Sequence, residues 1–313
     1  MSVLVTGASG FVGRHVVAEL FRRSFKIRAA VRPSGGAILP SAGVELVGLS
    51  GTGFETNNWK NAVAGCSAVI HLAALAHVGR DKLEDTAMAL NLANVDFARA
   101  CAEAASGAGV KRFIFMSSVG VHGGASGAQA FRADSVFAPH TPYSQSKADG
   151  EMALTEAVGG TGMALTIIRP PLVYGPGAPG NFGALMRAVK RGWPLPLGAV
   201  TGNRRSYIAI DNLVDLIVTC LDHPGAANQA FLVSDGEDLS TADLLQRLGS
   251  AIGRPARLLP LPVGAIALGT KLLGKPDMFQ KLCGSLQVDM NKTVKSLGWC
   301  PPIGVDEGLR RSI

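Results

Sequence analysis

Cysteine is sparse and unpatterned in this chain of 313 residues: Cys66, Cys101, Cys220, Cys283 and Cys300 form no Cys-x-x-Cys pair. That argues against a disulfide framework and against a zinc site, so reduced thiols and no metal are expected. Long hydrophobic runs are also missing. The most apolar candidate, Leu258 to Leu273, is interrupted by two prolines, two glycines and Lys271. It predicts a partly buried helix after an irregular start, with no membrane span. The chain enters an apolar strand at once, which leaves no room for a signal peptide and predicts a cytoplasmic location. Aromatic residues make up only 6% and do not interleave with the basic ones. The net charge of +7 therefore predicts no nucleic-acid partner, because a basic cleft for an anionic small molecule accounts for it as well.

A hydrophobic fraction of 47% and a charged fraction of 17% describe a globular protein. Its length allows one large α/β domain and a smaller lobe. Ser2-Val3-Leu4-Val5 reads as a short buried strand that runs into Thr6-Gly7-Ala8-Ser9-Gly10-Phe11-Val12-Gly13. A helical pattern follows, with Val16, Val17, Leu20 and Phe21 on one face. Strand, glycine turn and helix are the context of a dinucleotide fingerprint. Gly7, Ser9, Gly10, Phe11, Val12 and Gly13 are the expected contacts, with the pyrophosphate at the helix N-terminus.

The rest of the chain alternates. Strands are predicted at 2–6, 26–31, 44–48, 68–72, 111–116, 164–168 and 230–233, and helices near 11–23, 57–64, 86–106, 142–158, 181–191, 210–222 and 240–252. Such alternation predicts a doubly wound parallel sheet covered on both faces, a Rossmann-type α/β fold. Residues 1–175 would form the dinucleotide-binding domain, with 207–235 returning to it. Residues 176–206 and 236–313 would build a smaller C-terminal substrate-binding lobe. Segment 123–140, rich in Gly, Ala and Ser, reads as a loop over the active site.

Tyr143 and Lys147 stand four residues apart, and Ser118 lies twenty-five residues before the tyrosine. On a helix the pair shares one face, where a lysine charge favours the phenolate. A serine hydroxyl aimed at the same point holds the oxygen of a carbonyl or alcohol. Alone, the pair is also what a solvated helix face produces by chance; the glycine turn upstream favours catalysis.

The second strand ends Ile27-Arg28-Ala29-Ala30-Val31-Arg32. An NAD-preferring fold carries a carboxylate there for the ribose 2′-hydroxyl. Val31 stands in its place, and Arg32 suits a 2′-phosphate, with Arg14 as a helper. NADP(H) is therefore preferred and NAD(H) remains open; Arg32 as a solvated loop residue is the alternative.

The spacing Thr-Gly-x-x-Gly-x-x-Gly, His71-Leu72-Ala73-Ala74, Ser118 and Tyr143-x-x-x-Lys147 resembles the extended short-chain dehydrogenases/reductases, the nucleotide-sugar epimerases and 4-keto reductases among them. Arg169-Pro170-Pro171-Leu172-Val173-Tyr174-Gly175-Pro176, Arg205-Ser206-Tyr207-Ile208-Ala209-Ile210-Asp211 and Leu297-Gly298-Trp299 with Glu307-Gly308-Leu309 extend the resemblance to nearly the whole chain. It implies Ser118, Tyr143 and Lys147 as catalytic residues. Leu72, Ala73, Ala74, Asn94, Pro170 and Val173 join the cofactor site, with Lys147 on the nicotinamide ribose. Asn94 as a helix-surface amide is the alternative. A nucleotide-diphosphate sugar would meet Ser118, Asn181 and Arg205, with Asn181 otherwise a helix N-cap and Arg205 otherwise a surface residue. His77, after the fourth strand at the carboxyl edge of the sheet, is a further candidate for substrate contact. His122 replaces the family's tyrosine, either as a packed substitute or as a substrate contact.

The dehydratases of this family carry an acidic pair after the serine, which Val119-Gly120-Val121-His122-Gly123 lacks. Gly284-Ser285-Leu286-Gln287-Val288-Asp289 resembles reductases that form UDP-linked quinovosamine- or fucosamine-type sugars for bacterial surface polysaccharide. The implied activity is NADPH-dependent reduction of a UDP-linked 4-keto sugar. An NAD-dependent UDP-sugar 4-epimerase is the alternative, and a non-catalytic dinucleotide sensor is a third class. Val47-Gly48-Leu49-Ser50 departs from the family's acid near the adenine. A homodimer through helices 86–106 and 142–158 is also implied.

Overall fold

The computed structural model describes residues 1–31, 43–49, 56–76, 83–274 and 276–313. Chain order opens with β1 (Ser2–Thr6), α1 (Phe11–Arg22), β2 (Lys26–Val31), β3 (Val44–Gly48), α2 (Thr56–Val63) and β4 (Ala68–His71). It continues with α3 (Leu83–Asn91), a π-helical turn (Leu92–Asp96), α4 (Phe97–Gly107), β5 (Arg112–Met116), a 3-10 turn (Val119–His122), α5 (Pro142–Val158) and β6 (Ala164–Arg169). Then come β7 (Leu172–Tyr174), α6 (Gly180–Arg191), β8 (Arg205–Ala209), α7 (Ile210–Thr219), β9 (Gln229–Leu232) and β10 (Asp238–Leu239). The last elements are α8 (Thr241–Ile252), α9 (Val263–Leu272), α10 (Pro276–Cys283), α11 (Asn291–Leu297) and α12 (Val305–Arg311).

Seven parallel strands lie in the order β3-β2-β1-β4-β5-β6-β9, the expected Rossmann-type sheet. The order reverses between β1 and β4, which opens a crevice at their carboxyl ends. The central strands β1, β4 and β5 read as near-continuous apolar runs because both faces are covered, whereas edge strand β3 is partly exposed. Val3, Val5, Ile70, Ile114 and Ile168 face a core closed by α1 and α7. Leu4, Val69, Phe113, Phe115 and Ile167 face a second core closed by α2, α4 and α5. The helix expected at 86–106 is divided by the π-helical turn.

A second sheet of order β10-β8-β7 lies under α6 and α8, with its own core around Phe182, Tyr207, Leu244 and Leu248. Of segment 207–235, β9 pairs with β6 in the main sheet and α7 packs on α1. Tyr207–Ala209, by contrast, lie in β8 of the small sheet, because Tyr207 and Ala209 turn into that third core. The two sheets are fastened by polar bonds. The Tyr174 hydroxyl donates to Asp235 (2.7 Å), whose carboxylate also accepts from the Ala209 N–H (2.9 Å) and Asn212 (2.7 Å). Trp299 Nε1 donates to Asp215 (2.9 Å), which docks the C-terminal segment on α7. The helix expected within Leu258–Leu273 is α9, entered irregularly, and it buries only Ile266 and Thr270. No helix among the described residues is long and apolar enough to cross a membrane.

His71 ends β4 wholly buried among Phe97, Phe113 and Phe115, and neither ring nitrogen has a hydrogen-bond partner among the described residues. Burial, then repulsion from Lys147, pushes its imidazole from the ordinary 6.5 down to about 3. Between those values the unfolded chain binds a proton that the folded chain refuses, so stability falls as the pH drops through that window. His71→Leu removes the group without leaving a buried partner unsatisfied. The urea midpoint of the parent should fall on going from neutral pH to about pH 4, and that of the variant should fall much less; equal losses in both would refute the assignment.

Candidate active site

The cradle at the crevice is built from three glycines with different tasks. Gly7 turns the chain with φ +65°, and a Cβ there would lie 2.7 Å from the Ala73 nitrogen. A Cβ on Gly13 would lie 2.1 Å from the Gly7 carbonyl oxygen. These two allow turn, helix and the backbone after β4 to close on one another. Gly10 is exposed, and a Cβ there would meet only the Gly7 oxygen at 3.2 Å. It caps α1 with no side chain bonded to the first helical N–H groups. The N–H of Ala73 donates to Thr6 Oγ1 (3.2 Å) and that of Leu72 to the Thr6 carbonyl (3.3 Å), which fixes Leu72 and Ala73 beside the turn; exposed Ala74 follows them. Ser9 is exposed, while Phe11 and Val12 are half-buried on the first turn of α1. An open glycine at an uncapped helix N-terminus fits a dinucleotide pyrophosphate.

The first turn of α5 is set by a reciprocal cap. Thr141 Oγ1 accepts from the Ser144 N–H (3.1 Å), and the Ser144 hydroxyl accepts from the Thr141 N–H (3.0 Å). Pro142 opens the helix, so Tyr143 falls in its first turn and Lys147 one turn later. Ser118 caps the 3-10 turn and accepts from the Gly120 N–H (3.1 Å). A Cβ on Gly120 would lie 3.3 Å from both Ser118 Oγ and Ser144 Cβ, so this turn abuts the start of α5. Asn94 is wholly buried and not on a helix surface. Its side chain accepts from the Leu75 N–H (2.8 Å) and donates to the Leu75 carbonyl (3.0 Å) and to Ser146 (2.9 Å). It thereby ties the segment after β4 to α5.

Burial pushes the Tyr143 phenol up to about 12. Burial also draws Lys147 down to about 7, opposed by Glu151, with its Nζ held 4.2 Å from the centre of the Phe115 ring. The expected lowering of the phenol by Lys147 is therefore not the resting state. The lysine is itself desolvated, which disfavours its charged form. Tyr143 holds its proton until further positive charge comes near.

A buried network behind this edge went unread in the sequence. Arg169 at the end of β6 makes a bidentate pair with Glu151 (Nη2–Oε2 2.5 Å, Nε–Oε1 2.9 Å). Ser117, next to Ser118, donates to the same carboxylate. Arg169 Nη1 donates to the Ala133 carbonyl (2.8 Å) and meets His122 Nε2 at 3.0 Å. Because a guanidinium only donates, His122 accepts there through its neutral ring, and its Nδ1 faces the Val136 carbonyl (3.3 Å). Burial, then Arg169, lowers the His122 pKa. His122 is thus a packed residue that anchors loop 123–140. The available signal was Glu151, four residues after Lys147 and on the same helix face.

The remaining expected residues that are described are spread over several elements. The Pro170 carbonyl accepts from the Val119 N–H (3.0 Å), and Val173 sits half-buried in β7. Arg205 opens β8, and its Nη1 donates to the carbonyls of Gly284 (2.9 Å) and Gln280 (3.3 Å). Asn181 is exposed in the first turn of α6, but Pro179 is the N-cap, so the capping role expected of Asn181 is not what it does. Arg14 donates to the Pro176 carbonyl (2.8 Å), and Val31 closes β2. Arg32 and His77 lie outside the described residues.

A family model described as the NAD dependent epimerase/dehydratase family matches residues 3–234. A UDP-glucose 4-epimerase of Vibrio cholerae is 40% identical over 317 residues, covering 99% of this chain and 94% of that one. Among solved structures, a UDP-glucose 4-epimerase with UDP-glucose from Thermotoga maritima superposes with a TM-score of 0.78 at 21% identity, over 100% of this chain and 97% of that one. A UDP-glucuronic acid 4-epimerase from Bacillus cereus in complex with NAD also gives 0.78, at 20% identity, over 100% and 97%.

Gly10→Ala should leave the melting temperature within a few degrees while weakening dinucleotide binding about tenfold, ~1.4 kcal/mol, in a calorimetric titration. Gly13→Ala should instead lower the melting temperature or prevent folding; the reverse pattern would overturn this division of tasks. Glu151→Ala strands a buried guanidinium and should cost about 3–5 kcal/mol of unfolding free energy in urea.

Proposed function

Because the chain belongs to the NAD dependent epimerase/dehydratase family, we propose that it interconverts the C4 epimers of a UDP-linked hexose while retaining NAD. The near end-to-end likeness to the Vibrio cholerae UDP-glucose 4-epimerase carries this reading. The cradle of Gly7, Gly10 and Gly13 with Leu72–Ala74 would hold the pyrophosphate half of the dinucleotide, with Asn94 and Pro170 shaping the crevice behind it. When bound, the dinucleotide supplies a hydride acceptor and donor.

Tyr143 moves the proton. Its phenol passes a proton to, or takes one from, the C4 oxygen of the sugar, and Ser118 donates a hydrogen bond to the same oxygen. With its phenol at about 12, Tyr143 in the resting protein is an acid. Taking the proton from an alcohol needs added positive charge, which protonated Lys147 and an oxidised nicotinamide ring supply. Arg205, on the small sheet, would meet the diphosphate, and exposed Asn181 the substrate. Exposed Met88, Leu92 and Met152 on α3, the π-helical turn and α5 support a homodimer through that face.

One observation favours a second reading. Val31 ends β2 where an NAD-selective fold carries a carboxylate, which suits NADPH and the one-way reduction of a 4-keto sugar. We give more weight to the family description and the epimerase relative and propose NAD, with the NADP(H) preferred from the sequence kept as the second reading.

The purified protein should release bound NAD on denaturation. It should equilibrate UDP-glucose with its C4 epimer, followed by proton NMR without added cofactor. Tyr143→Phe should lower kcat about 10²–10⁴-fold with dinucleotide binding intact. NADPH consumption with a 4-keto sugar and no epimerisation would establish the reductase reading in its place.

A further inference from the structure

One helix of the small lobe carries a run of large apolar side chains on its outer side. A helix on a globular protein turns its polar side outward. On α9 the inward residues are Ile266 and Thr270, one turn apart. The opposite side carries Leu268 at 60% exposure and Leu272 at 79%, and Leu273 follows at 69%. Leu259 and Leu261, on the irregular approach to this helix, are exposed as well.

The neighbouring chain adds an aromatic. Segment 257–259 runs beside 195–198: the Leu195 N–H donates to the Arg257 carbonyl (2.8 Å) and the Leu259 N–H to the Leu195 carbonyl (2.8 Å). Trp193, just before this pairing, is 54% exposed, with the Arg191 guanidinium 5.0 Å from its ring centre. Arg254 joins the two segments through the Lys190 carbonyl (3.0 Å). Exposed leucines with a tryptophan at their margin form the apolar half of an interfacial element.

The two segments that carry them hold charge of one sign. No Asp or Glu occurs between Glu156 and Asp211, or between Asp243 and Asp277. Lys190, Arg191, Arg254 and Lys271 therefore border the patch without a carboxylate from either segment. A second copy docking by the same face would set these cations against their own equivalents. An anionic bilayer meets both halves of the pattern, apolar and basic.

We infer that α9 and the adjoining 190–195 and 254–261 segments form a membrane-surface docking face, whose partner is a bilayer rich in anionic phospholipid. The leucines and Trp193 enter the headgroup boundary while the basic rim meets lipid phosphates. The helix lies in the interface and does not cross it. Because α9 packs on α10, and the Gln280 and Gly284 carbonyls at the end of α10 hold Arg205, docking sets the substrate lobe close to the bilayer.

The experiment is co-sedimentation of the full chain with vesicles of phosphatidylglycerol and phosphatidylethanolamine, against vesicles of phosphatidylcholine alone. The expected result is partition onto the anionic vesicles at least tenfold above the neutral ones, reduced by 0.5 M salt. Leu268→Glu with Leu272→Glu places charge at exposed positions, so the melting temperature should hold while partition drops tenfold or more. Lys271→Glu keeps the apolar face and should lower partition by a smaller factor. No sedimentation with anionic vesicles, equal partition on both vesicles, or equal partition of parent and double variant would each overturn the inference. Analytical ultracentrifugation supplies the remaining arm: loss of a parent dimer in the double variant, without vesicle binding by the parent, would assign the face to a second copy.

Discussion

Arg169 and Glu151 form an ion pair that almost no water reaches, and the edge that carries Ser118, Tyr143 and Lys147 is arranged around it. One partner ends β6, and the other sits on α5 one turn beyond Lys147. Their fork is completed by Ser117, His122 and the Ala133 carbonyl, so a strand, a helix, a 3-10 turn and loop 123–140 share one buried charge pair. An unpaired charge at such depth is costly, so these elements keep their relative positions or the fold loses several kcal/mol. Ser118 inherits its place from Ser117, and Tyr143 and Lys147 inherit theirs from α5. Proton transfer needs such fixed placement, since a small displacement of the reacting groups lowers the rate sharply.

The dinucleotide side is organised by sterics instead of charge. Gly7 and Gly13 bring turn, helix and the backbone after β4 closer than any side chain would allow, and Gly10 leaves the helix end open. Asn94 joins the two systems, with one amide bonding both the segment after β4 and Ser146 on α5. The π-helical turn that carries it adds a residue to the helical repeat and directs that amide inward. A Cβ on Gly150 would come within 2.8 Å of the Asn94 carbonyl oxygen, so a glycine on α5 completes the contact.

Much of this was legible in one dimension. The strand, turn and helix at the N-terminus, the alternation that makes a parallel sheet, and the Ser118, Tyr143, Lys147 spacing are local patterns. They report backbone conformation and helix face directly. Helix 86–106 reads as continuous in the sequence, whereas the π-helical turn at Leu92–Asp96 divides it. Of the two roles weighed for Asn181, N-capping is not the one it has, since Pro179 occupies the cap position. Glu151 and Arg169 were in view, but their pairing spans eighteen residues and two elements.

What the sequence by itself determined is therefore the class of fold, because that rests on residue spacing within single elements. Tertiary structure decided the state of the groups. It made the Tyr143 phenol harder to deprotonate and disfavoured the charged form of Lys147, because burial removes the water that stabilises charge. It made His122 an anchor by setting it against Arg169. It also turned the leucines of α9 outward, because only Ile266 and Thr270 find a core to enter. Charge state and exposure depend on neighbours distant in the chain, and only the folded molecule brings those neighbours together.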